Sequence, residues 1–269
     1  MATRRFIKMH GLGNDFLVFD ARTQPLALNP AQVRALANRH TGIGFDQLIV
    51  IEPSATADVR LRFWNSDGGE VSACGNGSRA AAGLLGGHQR IETAGGMLDG
   101  NALDGGAEVD MGTPRWEWNQ IPLAYPMDTT ALPLAWDDLE QPTAVSVGNP
   151  HVVFFVGDVA AVPLERMGPI IEHDPVFPER VNVGIAQVVA ADHLILRVWE
   201  RGAGATLACG TGAVAAVAAA QRRGLAGPRV RVSLPGGDLL VTRRDDGHLM
   251  LAGPAVVAFT GEVDLEHYR

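Results

Sequence analysis

Leu196-Arg-Val-Trp-Glu-Arg-Gly-Ala-Gly-Ala-Thr-Leu-Ala-Cys209-Gly-Thr-Gly-Ala-Val-Ala-Ala216 repeats, without a gap, Leu61-Arg-Phe-Trp-Asn-Ser-Asp-Gly-Gly-Glu-Val-Ser-Ala-Cys74-Gly-Asn-Gly-Ser-Arg-Ala-Ala81. Ten of the 21 positions are identical at an offset of 135 residues, so the chain contains one unit twice. The offset also carries Gly13-Asn14 onto Gly148-Asn149 and Gln47 onto Asn182. Downstream, Gly95-Gly96 meets Gly236-Gly237 at an offset of 141, which places six added residues in the second copy near 222–228.

Within each copy, short apolar runs at 6–9, 16–20, 47–52 and 59–64 are separated by Gly, Pro, Asn and Asp, the pattern of turned β structure. A helix is expected over 30–39, with Asn29 as N-cap and Pro30 in its first turn. A second helix follows each Cys-Gly-x-Gly. It is apolar nearly all round, so it belongs inside the protein. The expected fold class is α+β, with two pseudo-symmetric domains, each a β-barrel-like sheet around a central helix. The expected domains are residues 1–115, carrying Cys74, and 116–269, carrying Cys209, with the last strand able to close either one. Residues 113–122, where Pro114 and Pro122 bracket Trp116 and Trp118, read as the connection.

Composition narrows the function. A formal charge of −8 and a pI near 5.4, with no basic cluster, argue against nucleic acid or an anionic membrane as partner and favour a small molecule. With no apolar leader run and no span-length segment, the chain reads as cytoplasmic. Two cysteines make no disulfide framework, and neither has the companions a zinc site needs. The single lysine, Lys8, lies in a strand with no phosphate loop beside it, which disfavours pyridoxal phosphate. No cofactor and no metal are expected.

A cysteine at the start of a helix gains from the positive end of the helix dipole, although a buried apolar filler is the ordinary fate of a free cysteine. Two such cysteines on a pseudo-twofold scaffold would face one cleft. A thiolate on one side of a stereocentre and a thiol on the other then perform racemisation or epimerisation, because an unperturbed thiol pKa of ~8.5 allows both forms near neutrality. Backbone N–H groups at Gly75, Asn76, Gly210 and Thr211 would hold a substrate carboxylate and the charge that develops beside it. Asn14, Asn65, Asn149 and Asn182 suit an amino-acid ligand or are simple turn residues. Glu200 and Arg201 stand where the first copy has Asn65 and Ser66, which gives one end of the site its charge. His151 follows Gly148-Asn149-Pro150, where it is either a modulator of a cysteine or structural.

At these residues the sequence resembles the diaminopimelate epimerase family. The motifs are Lys8-Met-His-Gly-Leu-Gly-Asn-Asp-Phe16, Gly42-Ile-Gly-Phe-Asp-Gln47, Ala73-Cys-Gly-Asn-Gly-Ser-Arg79, Gly148-Asn-Pro-His151, Phe177-Pro-Glu-Arg-Val-Asn-Val-Gly184 and Glu200-Arg-Gly-Ala-Gly204 together with the second Cys-Gly-Thr-Gly. The resemblance implies a cofactor-independent interconversion of LL- and meso-diaminopimelate, usually by a homodimer. It also implies that Cys74 and Cys209 are the acid/base pair, modulated by His151 and Glu200. Substrate contacts would fall on Asn14, Gln47, Asn65, Gly75, Asn76, Asn149, Asn182, Glu200, Arg201, Gly210 and Thr211. Ala205 departs from the family's usual Glu, with packing as the expected consequence. The alternatives are a racemase of another amino or imino acid on the same scaffold, and a dithiol redox or metal sensor.

Overall fold

The computed structural model describes residues 3–72 and 74–268; Ala73, within the first cysteine motif, lies outside them. The chain forms two compact units, Met1–Asp110 with Ala252–Arg269, and Met111–Leu251. The boundary therefore falls before the expected 115. Residues 252–269 belong to the first unit because strand Val256–Asp264 pairs antiparallel with strand Thr3–Gly11, Phe6 opposite Gly261. Val256–Asp264 is a single strand, and its pairing has a register shift between Lys8 and Met9. The 113–122 segment belongs to the second unit, where Arg115 bridges to Ser146.

In the first unit, strands run in the spatial order Val256–Asp264, Thr3–Gly11, Asn14–Asp20, Gln47–Glu52, Val59–Asn65, His88–Thr93, Gly96–Leu103, Gly106–Asp110. The Asn14–Asp20/Gln47–Glu52 and Val59–Asn65/His88–Thr93 pairs are parallel and the rest antiparallel. Helix α1 (Pro30–Ala37) makes the first parallel crossover, and α2 (Gly75–Leu85) the second. Asn29 and Gln32 cap α1 reciprocally. The helix stops two residues short of the expected 39, because Asn38 turns the chain: its Oδ1 accepts from the N–H groups of His40 and Thr41.

The second unit repeats this pattern. Strands Thr143–Ser146, Pro150–Phe155, Asn182–Ala190, His193–Glu200, Arg229–Leu234 and Gly237–Arg243 pair antiparallel, parallel, antiparallel, parallel and antiparallel. Helices α3 (Leu164–Glu172) and α4 (Gly210–Arg222) take the places of α1 and α2. Register is retained as well: Phe16↔Gln47 corresponds to His151↔Asn182, and Leu48↔Trp64 to Val183↔Trp199. After the six added residues, Val59↔Ile91 corresponds to Leu194↔Val232. Those residues lengthen α4 and the turn that follows it.

The two central helices explain the sheets around them. Alanines 213, 215, 216 and 218–220 of α4 are buried, as are Val214 and Val217, so the helix can be stable only with strands on all sides. It packs on all six strands named for its unit, and α2 packs on five strands of its own. Close approach is secured by one glycine in each helix. A Cβ at Gly77 would lie 2.9 Å from the Phe63 ring, and one at Gly212 would lie 2.9 Å from Val198 Cγ2. Gly77→Ala or Gly212→Ala is expected to cost about 1–3 kcal/mol through overpacking, read as a lower urea midpoint at unchanged m-value.

Candidate active site

Each cysteine is the N-cap of its central helix. Cys74 Sγ accepts from Gly77 N at 3.2 Å, and Cys209 Sγ from Gly212 N at 3.3 Å. Sulfur thus takes the place of the usual capping oxygen, and a thiolate there gains from both the N–H bond and the helix dipole. Gly75 and Asn76 open α2, as Gly210 and Thr211 open α4. Their N–H groups cannot be bonded within the helix itself. A carboxylate or a developing enolate suits such a position.

Around each cysteine the repeat places one more matched pair. Asn76 Nδ2 donates to Asn14 Oδ1 at 3.5 Å in the first unit, and Asn149 Nδ2 donates to Thr211 Oγ1 at 3.3 Å in the second. Thr211 Oγ1 lies 3.5 Å from Cys209 Sγ. Asn14 is braced from behind, because its Nδ2 donates to Asp46, which with Asp15, Arg39 and Lys8 forms a network of charges. Burial opposes the charge on Asp15, but hydrogen bonds from Arg39 and Lys8 outweigh it and hold the carboxyl well below the usual carboxylate range.

The neighbours beyond these pairs differ. In the first unit Cys74 Sγ donates to Gln47 Oε1 at 2.7 Å, and Gln47 Nε2 donates to Asn65 Oδ1 at 3.1 Å, so the thiol meets neutral amides. In the second unit Glu200 replaces Asn65. Its carboxyl shares a hydrogen bond with Cys209 and accepts from Thr206 Oγ1 at 2.6 Å. Burial, followed by the Glu200 charge, pushes the Cys209 thiol well up, against the hydrogen bonds from Thr211 and Gly212. Burial also raises Glu200.

His151 and Asn182 bond to neighbouring residues of the site: His151 to Asn149, and Asn182 to Pro150 and Arg201. His151 Nε2 is 3.0 Å from Asn149 Oδ1, so the ring orients Asn149 through an Nε2–H tautomer inferred from that partner. Burial, with a smaller contribution from the charge of Arg201, lowers its pKa to about 3. Asn182 is buried: Nδ2 donates to Pro150 O, and Oδ1 accepts from Arg201 N. It therefore fixes the backbone of the loop that bears Glu200 and Arg201. The exposed Arg201 side chain donates to Glu179 O at 3.0 Å.

A neutral buried histidine makes stability depend on pH. Its folded pKa is depressed below the ordinary 6.5, so its contribution is complete above that value and is lost as pH falls towards about 3. Unfolding free energy should drop by up to about 1.4 kcal/mol per pH unit below 6.5 on this account. Urea titrations at pH 7.5 and pH 5 should show a smaller drop for His151→Gln than for the native chain.

Three contributing residues were not singled out in the sequence. Thr206 replaces Val71 of the first copy and bonds Glu200. Glu172, buried at the end of α3, accepts from Trp199 Nε1 and Gly202 N and so pins both sides of Glu200-Arg201. Arg79 is buried at the start of α2. Thr206 and Arg79 were visible as differences between the copies, whereas nothing near Glu172 in sequence points to its role. Ala205 is exposed in the short strand Gly204–Thr206, opposite Trp199. Among the described residues no three His, Cys, Asp or Glu side chains are grouped to hold a metal ion, and no helix is long and apolar enough to cross a membrane.

The family model described as diaminopimelate epimerase matches residues 6–117 and 143–258. The diaminopimelate epimerase of Erythrobacter litoralis is 57% identical over 264 residues, covering 98% of both chains. That of Zymomonas mobilis subsp. mobilis is 55% identical over 263 residues, covering 97% of this chain and 98% of the relative. Among solved structures, a PhzF-family phenazine biosynthesis protein of Bacillus anthracis superposes with a TM-score of 0.70 at 18% identity, covering 98% of this chain and 100% of that one. A hydroxyproline epimerase of Agrobacterium vitis with bound trans-4-hydroxy-L-proline gives 0.67 at 13% identity, covering 97% and 92%. These two likenesses concern the fold.

Proposed function

Since this chain belongs to the diaminopimelate epimerase family, we propose that Cys74 and Cys209 are the acid and base of its reaction, acting on one α-carbon from opposite faces. The chain is an isomerase that interconverts LL- and meso-2,6-diaminopimelate, in lysine and peptidoglycan precursor synthesis. The observation that supports the two-thiol reading best is the repeated N-cap geometry. Each sulfur accepts the third N–H of its own central helix, and no other titratable side chain recurs in both copies at that place.

In each turnover one thiolate takes the α-proton and becomes a thiol. The electron pair left on carbon is stabilised through the substrate carboxylate, held at the N–H groups of Gly75, Asn76, Gly210 and Thr211. The opposite thiol returns a proton to the other face and becomes the thiolate. Protons balance, and no cofactor enters. Asn14, Gln47, Asn65, Asn76 and Asn149 contact the reacting amino-acid end directly. Glu200 and Arg201 take the ammonium and carboxylate groups, with Asn182 and His151 holding that half in place.

Incubation with LL-diaminopimelate in heavy water, followed by proton NMR, tests this. The expected result is inversion with loss of the α-proton signal under reducing conditions. An absence of both inversion and exchange would overturn the reading. We further take the assembly to be a homodimer, supported by Val256, Val257 and Phe259, which are exposed together on one strand of the first unit. A cytoplasmic location accords with two cysteines that work only when reduced.

A further inference from the structure

We propose that Asp46 and Arg79 are positioning residues that fix the direction of the two amides between them: Arg79 can only donate to Asn76 and Asp46 can only accept from Asn14, so Asn14 turns its carbonyl oxygen, and not its amide nitrogen, towards the start of α2. The proposal rests on the reading that Asn14 and Asn76 contact the reacting end of the substrate. It adds which hydrogen-bonding role Asn14 can play there.

Four side chains of the first unit form a continuous series. Arg79 Nη1 donates to Asn76 Oδ1 at 3.0 Å, Asn76 Nδ2 donates to Asn14 Oδ1 at 3.5 Å, and Asn14 Nδ2 donates to Asp46 Oδ2 at 3.1 Å. Turning an asparagine amide over hardly changes its shape but exchanges donor for acceptor, so its direction is set by its partners. A guanidinium has no acceptor and a carboxylate no donor. The two ends therefore fix the two amides independently, and both assignments bring the Asn76 nitrogen and the Asn14 oxygen face to face. Turning Asn14 over would set oxygen against Asp46 Oδ2 and nitrogen against Asn76 Nδ2, two like contacts in place of two hydrogen bonds.

Both ends are themselves held. Asp46 stands beside Asp15 where strands Asn14–Asp20 and Gln47–Glu52 begin to run parallel, and its N–H donates to Asp15 O at 3.0 Å. Its Oδ2 also accepts from Asp15 N at 3.1 Å, and its Oδ1 accepts from Arg39 Nη2 at 2.8 Å. Arg79 is wholly buried, and its Nε donates to Pro254 O at 3.3 Å. The second copy has neither end: Val181 and Val214, both wholly buried, stand where the first has Asp46 and Arg79. Asn149 there lies between Thr211 Oγ1 and His151 Nε2, a hydroxyl and a neutral imidazole, each able to give or to take a hydrogen. The first unit thus presents a fixed acceptor, whose substrate partner must carry a hydrogen, as an ammonium does.

The test joins side-chain amide NMR on the full-length protein, labelled with nitrogen-15 at asparagine, to kcat and KM for LL-diaminopimelate. In the native protein the Asn14 amide protons should exchange with water about tenfold more slowly than those of exposed Asn119, as one retained hydrogen bond requires. In Asp46→Asn, Arg39 keeps the new amide's oxygen and leaves its nitrogen facing Asn14. Asn14 should then turn over, lose that protection, and raise KM about tenfold with a smaller change in kcat. Asn14→Asp sets two carboxylates together and should do more harm. The double variant Asn14→Asp with Asp46→Asn restores a donor against an acceptor and keeps an oxygen towards α2, so its kcat/KM should exceed the product expected from the single variants by about tenfold. Additive single effects, or an Asn14 amide that exchanges as fast as Asn119 in the native protein, would overturn the proposal. If a variant does not fold, the native exchange measurement decides. Native protection that is lost in Asp46→Asn, in a protein that does not epimerise, sinks the functional reading and leaves the assignment of direction standing.

Discussion

Cys74→Ala and Cys209→Ala should each lower kcat/KM for epimerisation by roughly a thousandfold or more, while the far-ultraviolet circular dichroism stays native. General acid–base catalysis contributes about 10²–10⁴ per group, and here either substitution removes a proton donor or acceptor that nothing else replaces. The fold should tolerate the change, because alanines already fill much of the helix interior behind both caps. Some stability will be lost with the cap itself, about 1 kcal/mol by analogy with oxygen caps. Measured in heavy water with single turnovers, each variant should fail to invert either isomer. Near-native inversion by either one would remove the two-base mechanism.

Glu200→Gln carries the next largest effect, about a hundredfold in kcat/KM, for two separable reasons. The amide cannot pair with a substrate ammonium as a carboxylate does, so KM rises. It also removes the negative charge that, after burial, holds the Cys209 thiol up. The sign of the second effect follows: without Glu200 the Cys209 proton leaves at lower pH, so the alkaline limb of the pH–rate profile moves towards acid. A profile of unchanged shape would assign Glu200 to binding alone. Thr206→Val should give a smaller shift of the same kind, since Thr206 holds the Glu200 carboxyl in place at 2.6 Å.

Most of the architecture was legible before any coordinates, because a duplication supplies its own control. Two copies that retain Gly and Cys at one offset had to share a strand–turn–helix. The Gly77 and Gly212 positions now show why: a side chain at either meets the neighbouring strand at 2.9 Å. Helix α1 could be read from its Asn29 cap and Pro30. Its counterpart α3 could not, since it begins after Pro163 without a side-chain cap and contains Pro169. The limits of the units were legible only in part, because strand pairing between residues 3–11 and 256–264 is a long-range contact with no local signature.

For the site, residue types were enough to select the cysteines, the asparagines and Glu200-Arg201, since chemistry restricts what an acid/base pair can be. Partners were another matter. That Asn182 turns inward to Pro150 and Arg201, that His151 is neutral and serves Asn149, and that Glu172 clamps Trp199 and Gly202 depend on side-chain direction and burial. Periodicity and spacing carry no information on either. The residues alone thus establish a repeated scaffold with a matched pair of thiols. The inequality of those thiols, with neutral amides beside one and Glu200 beside the other, comes from packing, because a charge acts according to its distance and its exposure to water and not according to its place in the chain.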